Sequence, residues 1–145
     1  MDNKELLIQL LEEMHYHPKL DEEGDVIIRY QMKLIVFILR KEDDSYINMS
    51  LYSFRSVHEE DKLLAMTICN VLNRKLKLVK LYLEDNLKSV SASCDFHFTD
   101  KQSMAVNVSK ALDILGNITC FYNQMKLEYI TEGAGENGND GAAGQ

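Results

Sequence analysis

The sequence contains few residues that would cross-link or interrupt a fold: one proline and three cysteines in 145 residues. Cys69, Cys94 and Cys120 are an odd number at wide spacing, which is typical of reduced cytosolic thiols rather than of a disulfide framework. A chain of this length buries roughly two thirds of its unfolded surface, so it can fold without a disulfide or a metal. We therefore expect one domain in the cytoplasm.

Long apolar runs and basic segments are also missing. No stretch approaches the roughly 18 apolar residues of a membrane helix. The start, MDNKELLIQLLEEMHYH, has acidic residues where a signal peptide has a basic segment before an apolar one. The net charge of −7 and the pI near 5.1 argue against a general binder of nucleic acid or anionic membranes. These absences exclude nucleic acid and membranes as the expected partners.

Motifs that carry chemistry are absent as well. The sequence has no C-x-x-C, H-x-x-x-H, P-loop or G-x-S-x-G pattern. His15 and His17 flank a predicted helix end and would not converge on one ion, while the acidic segment Asp21 to Asp25 lacks the glycine and glutamate of a calcium loop. Cys94 and His97, three apart on a strand, would point to opposite faces. We expect no catalytic residue, metal or cofactor, and thus no enzyme.

Apolar residues at helical spacing predict three helices. The first begins with Asp2 and Glu5 placed as a capping box and ends before Pro18. Ser56-x-x-Glu59 predicts the cap of the second, and Thr99-x-x-Gln102 that of the third. The third keeps its apolar period from Met104 to Tyr129, and the cysteines at 69 and 120 read as small core residues.

Alternation and β-branched residues predict five strands, in segments 26–30, 33–40, 46–54, 76–83 and 87–98. The fold class is therefore α+β: a five-stranded antiparallel sheet with helices, in the order α-β-β-β-α-β-β-α. The domain should span residues 1–131. Residues 132–145 hold five of the seven glycines and no large apolar residue, so we predict a disordered, Gly-rich acidic tail.

Two kinds of surface could bind a partner. The alternation places a set of tyrosines and small polar residues on the outward face of the sheet, a composition suited to an adaptable contact surface: Tyr46, Asn48, Ser50, Tyr52, Phe54, Ser89, Ser91 and Ser93. This face could also be merely solvated or partly covered by a helix. Leu63, Met66 and Cys69 lie off the main stripe of the second helix, as do Ile114, Phe121 and Leu127 on the third. Such residues are either deeply buried or an oligomer contact.

Several segments, in this order, resemble the YbjN domain family of bacterial proteins, described as candidate sensory transduction regulators with a type III secretion chaperone-like fold. The matching segments are LLEEM, LDEEGDVIIRY, KEDDS, ICNVLNRKLKLVKLYL (with Asn70, Asn73, Lys77 and Lys80), FHFTD and KALDILGNITCFYNQM, within about residues 4 to 128. The first hairpin departs from the family, because Gln31 and Met32 stand where glycine is common. The resemblance implies a cytoplasmic, non-enzymatic protein that binds other proteins and forms a homodimer.

The primary hypothesis is thus a regulatory or chaperone-like protein-binding module. The alternative is a small-molecule-binding domain or small enzyme with a pocket between the sheet and the last helix. That alternative requires a deep, polar-lined cavity there.

Overall fold

The computed structural model describes residues 1–143, with side chains as far as Glu132. Three helices and six strands follow one another as α1 (Asn3–Glu13), β1 (Lys19–Leu20), β2 (Val26–Tyr30), β3 (Lys33–Arg40), β4 (Asp43–Ser56), a 3-10 turn (Glu59–Asp61), α2 (Lys62–Lys75), β5 (Val79–Leu83), β6 (Ser89–His97) and α3 (Lys101–Ala143). Within the described residues, no helix is both long and apolar enough to cross a membrane.

All six strands pair antiparallel in one sheet, in the order β1-β2-β3-β4-β6-β5. The predicted α+β class and the sequence of its main elements are confirmed. The additional strand is β1, whose two residues pair with Val26 and Ile27. So short a segment carries no alternation signal, which is why the sequence predicted five strands.

The three helices share one apolar core with the inner face of the sheet. The α3 side chains at this core include Met104, Val108, Leu115 and Ile118, all fully buried in the same cluster as sheet residues such as Phe37. Close packing fills the space in which the alternative hypothesis places a pocket. This observation counts against a ligand site between the sheet and the last helix.

The helix starts test the capping predictions individually. The capping box at α1 is confirmed, since the Glu5 amide donates to Asp2 Oδ1 (2.8 Å) and the Asp2 amide to Glu5 Oε2 (3.3 Å). Ser56, in contrast, is the last residue of β4, and α2 begins six residues later. At α3 the cap is shifted by one residue, because the Ser103 amide donates to Asp100 Oδ1 (2.8 Å).

The β2–β3 turn contains no glycine, although Gln31 (φ 51°) and Met32 (φ 65°) both have left-handed backbones. The turn lies against α3 at Gly116, where an added Cβ would stand 2.8 Å from the Tyr30 ring and 2.9 Å from Gln31 Oε1. Gly116 therefore permits a close approach between helix and hairpin, although glycine costs about 1 kcal/mol in a helix interior.

Two further predictions concern the last helix. Cys120 is exposed, so its assignment to the core was wrong, whereas Cys69 and Cys94 are buried. The α3 backbone is helical through Ala143, which includes part of the segment 132–145 that we predicted to be disordered. The side chains from residue 133 and all of residues 144–145 lie outside the described part of the chain, and both the disorder and the domain limits stay predictions.

Candidate functional site

The sheet has a second face, which we call the outer face, opposite the helices. Strand pairing aligns one row of side chains across it from Ile27 through Val36, Ser50 and Ser93 to Lys80. Val36 is buried by its neighbours but does not belong to the helix-side core. Because these side chains alternate with core residues, all five point away from the helices.

A groove of about 740 Å³ runs over the middle of this face. Ser50 and Ser93 are only 2% exposed and form its floor. Longer side chains stand around them: Ile38, Arg40, Asp43, Tyr46, Asn48, Tyr52, Lys80, Tyr82 and Asp95. Small residues below large ones make the face concave, and Tyr46 and Tyr52 each remain 47% exposed. A concave surface with exposed tyrosines provides a large contact area at low cost in side-chain entropy.

Hydrogen bonds organise the polar end of the groove. Asn48 Nδ2 donates to Asp95 Oδ1 (2.6 Å), and Ser50 Oγ donates to Asn48 Oδ1 (2.5 Å). Lys80 Nζ lies 2.8 Å from Asp95 Oδ2. The three strands β4, β6 and β5 are thereby linked on their outer face, and the polar side chains hold fixed positions before any partner arrives.

The surroundings of Asp95 and Tyr82 determine the protonation states of these two groups at the polar end of the groove. Partial burial alone would raise the pKa of Asp95, but the hydrogen bonds from Lys80 and Asn48 outweigh it and lower that pKa. Burial, together with the Glu84 carboxylate, raises the pKa of the Tyr82 phenol. At neutral pH the groove thus holds an ionised, paired carboxylate and a protonated tyrosine hydroxyl.

A bulge in β4 removes Phe54 from the predicted set. Between Leu51 and Arg55, residues 52–54 lie opposite the single residue Ser91 of β6. Ser53 has φ 49°, and its amide donates to Ser91 Oγ (2.8 Å). Alternation is lost there, and Phe54 packs edge-on against Tyr122 of α3, with ring centroids 5.8 Å apart. The prediction that Phe54 faces outward was wrong, because Phe54 lies within the bulge, where side chains no longer alternate between the two faces.

The other predicted residues lie on β4 and β6 with different exposures. Tyr46 and Tyr52 are accessible and Asn48 is half-buried, while Ser50, Ser91 and Ser93 are buried. Ser91 donates to Glu84 Oε2, and Ser89 Oγ contacts Ser53 Oγ at 2.9 Å beside the bulge. Four further residues, which the predicted set did not include, line the groove: Arg40, Lys80, Tyr82 and Asp95. Their alternation within β3, β5 and β6 would have identified them once the strand order was known.

A side chain of α2, Asn73, forms hydrogen bonds with the main chain of edge strand β5 beside the groove. Asn73 of α2 accepts a hydrogen bond from the Leu81 amide (2.7 Å) and donates to the Leu81 carbonyl (3.0 Å). It thus occupies main-chain groups of edge strand β5 that another strand would otherwise pair with. At Leu81 the main chain of β5 is therefore not free to pair with a partner strand, and a partner at this end of the sheet has the outer face available to it.

Replacing Asn73 by alanine should therefore lower the free energy of unfolding by about 1–2 kcal/mol, since two hydrogen bonds are lost. It should also increase self-association through β5 as the concentration rises. Urea unfolding and sedimentation velocity measure the two effects. Asn70→Ala, at an exposed position of the same helix, is the matched control; an equal loss in both variants would contradict this role for Asn73.

The cysteines and histidines that could react as nucleophiles or bind a metal do not line the groove. Burial raises the pKa of the Cys69 thiol to about 11 and that of Cys94 to about 12, so neither is a reactive thiolate at neutral pH. His15 and His17 are exposed at the end of α1. Among the residues with described side chains, no group of three or more histidine, cysteine or acidic side chains is arranged to hold a metal ion.

Comparison with known proteins places the chain in a family. Residues 2–119 match the family model described as "T3SS (YopN, CesT) and YbjN peptide-binding chaperone 1". The chain belongs to this family. The groove residues from Ile38 to Asp95 all lie within the matched region. No curated protein sequence matches the chain.

Two solved structures share the fold. The crystal structure of YbjN from E. coli superposes with a TM-score of 0.62 at 15% identity, covering 87% of this chain and 89% of that one. An uncharacterized protein from Methanothermobacter thermautotrophicus gives a TM-score of 0.55 at 13% identity, over 84% of this chain and 97% of that one. At these identities the similarity establishes the fold. The resemblance to the YbjN family noted in the sequence is thereby confirmed.

Proposed function

We propose that this chain is a protein-binding module, regulatory or chaperone-like, which holds extended peptide segments in the groove on the outer face of its sheet. Membership of a peptide-binding chaperone family carries the proposal. The position of the site is supported by the tyrosine-lined concave face, which the helices of the described chain leave uncovered. An extended chain laid on a sheet face places alternate side chains into the groove.

The mode of action follows from the same surface. We propose binding without catalysis, because the groove offers paired charges and buried serines, and Ser50 Oγ donates its proton to an amide oxygen rather than to a base. A cytoplasmic location fits the three cysteines, none of which forms a disulfide in the described chain. Such a module would keep partner segments unfolded or would report their presence to a regulatory pathway.

We also propose that two copies of the chain associate as a homodimer through α2. Leu63 is 77% exposed and Met66 53% exposed on α2, whereas their predicted companion Cys69 is buried. A second copy covering Leu63 and Met66 would remove this apolar pair from water. Sedimentation equilibrium of the chain, compared with the Leu63→Lys variant, decides whether α2 supplies that contact.

Selection from a display library of random dodecapeptides tests the peptide-binding function directly. The immobilised chain should enrich related sequences, and synthetic versions should bind in solution when measured by fluorescence anisotropy. Selection on the Tyr46→Lys, Tyr52→Lys double variant is the control, and it should recover no common sequence. Failure to enrich any peptide on the wild-type chain would contradict the proposed function.

A further inference from the structure

The groove continues into a depression that has two aliphatic side chains at its base and carboxylates at its border. This depression, of about 730 Å³, lies over Val36 and Ile38 and shares Ile38, Arg40 and Tyr52 with the groove. Its other boundary is the acidic turn, Asp21 to Asp25, which contributes Asp21, Glu22, Glu23 and Asp25. The outer face therefore has an apolar, acidic end at β2–β3 and a polar, charge-paired end at β5–β6.

The fold fixes the acidic turn in this position. Asp21 Oδ1 accepts hydrogen bonds from the amides of Glu23 and Asp25, both at 2.9 Å, and Gly24 supplies a left-handed residue (φ 84°). Lys4 of α1 donates to the Gly24 carbonyl at 2.5 Å. Asp21 is thus engaged in holding the turn, while the exposed side chains of Glu22 and Glu23 are available to a ligand.

The charges at this end are unbalanced. Four carboxylates border the depression together with one cation, Arg40. None of the four is within 4.0 Å of a lysine or arginine nitrogen among the described side chains. Burial is the largest cause that raises the pKa of Asp25; the neighbouring Asp21 adds to the rise, and the Lys4 and Arg40 cations offset only part of it. A cationic group placed here would relieve that repulsion.

From this arrangement, and resting on the proposed function, we infer that the preferred ligand is an extended peptide carrying a lysine or arginine next to an apolar residue. The apolar side chain would cover Val36 and Ile38, and the basic side chain would reach Glu22 and Glu23. In this assignment the apolar strip supplies affinity, while the acidic turn selects the sequence and favours encounter with basic segments.

The test compares dodecapeptide libraries selected on four chains. Wild type should enrich lysine and arginine within two positions of an apolar residue. The Glu22→Lys, Glu23→Lys variant should lose that enrichment, and its affinity for a wild-type-selected peptide should fall by about tenfold at low salt. The control, Asp113→Lys with Glu128→Lys, makes the same charge change on α3 and should keep the enrichment. Glu22→Gln with Glu23→Gln repeats the test without introducing positive charge.

The outcomes separate the two proposals. Peptides enriched without basic residues, or equal losses in the turn variant and the α3 control, would overturn this inference and leave the proposed function standing. No enriched peptide on any chain would overturn both. Self-association of the wild type that Glu22→Lys, Glu23→Lys abolishes would identify a second copy as the occupant, which also overturns the inference.

Discussion

Replacing both Tyr46 and Tyr52 by lysine is expected to weaken binding of a selected peptide by at least about 100-fold. Tyrosines at the centre of an interface commonly contribute about 2 kcal/mol each, and 1.4 kcal/mol corresponds to a factor of ten. Both rings stand half exposed beside the serine floor of the groove. Lysine would replace a rigid aromatic surface with a flexible, hydrated side chain.

The same substitutions should leave the fold intact, because both side chains are solvent-accessible. Tyr46 packs edge-on against His97 with centroids 5.1 Å apart, so we expect a change in unfolding free energy of no more than about 1 kcal/mol. Leu127→Lys with Ile130→Lys, two exposed apolar residues of α3, is the matched control. Retained affinity in the tyrosine variant, or an equal loss in the control, would show that the groove is not the site.

The second large effect concerns Gly116. We expect Gly116→Leu to lower the free energy of unfolding by roughly 2–3 kcal/mol, because even a Cβ would approach the Tyr30 ring to 2.8 Å, and overpacking a filled contact typically costs 1–3 kcal/mol. Helix propensity alone gives the opposite sign, since leucine is favoured over glycine by up to about 1 kcal/mol. The sign of the measured change therefore tells whether the hairpin rests on α3 at this point.

Asn117→Leu provides the comparison for that measurement. Asn117 is the exposed next residue of the same helix, and its side chain donates to the Asp113 carbonyl at 2.8 Å. The substitution should be close to neutral in urea unfolding. A stabilised Gly116→Leu variant would mean that the β2–β3 turn does not contact the helix in solution.

Much of the fold could be predicted from the sequence because its signals are local. The capping box of Asp2 and Glu5, the strict alternation from Tyr46 to Leu51 and the helical period from Met104 each depend on neighbouring residues alone. These patterns also placed Tyr46 and Tyr52 on the outer face of the sheet. They could not show that Ser50 and Ser93 are buried, because that depends on which larger side chains stand beside them.

What the sequence could not predict depends on contacts between distant segments. No residue pattern in the sequence indicates the bulge at Ser53, and Phe54 was therefore assigned to the wrong face of the sheet. The Asn73–Leu81 contact joins a helix to the edge of a strand. The acidic turn borders the depression over Val36 and Ile38 because β1 pairs with β2. Only part of the site could thus be predicted from the sequence. The positions of its tyrosines follow from strand alternation, whereas those of the charged residues at its border follow from the order of the strands in the sheet.

The most direct test of the central claim is an NMR titration of the methyl-labelled chain with a selected peptide. Binding in the groove and the adjoining depression should shift the methyl resonances of Ile38 and Val36, which lie on the outer face, and leave those of Leu63, Ile114 and Leu127 on the helices unchanged. Shifts confined to the helix methyls, with none at Val36 and Ile38, would contradict the assignment of the outer face as the peptide-binding surface.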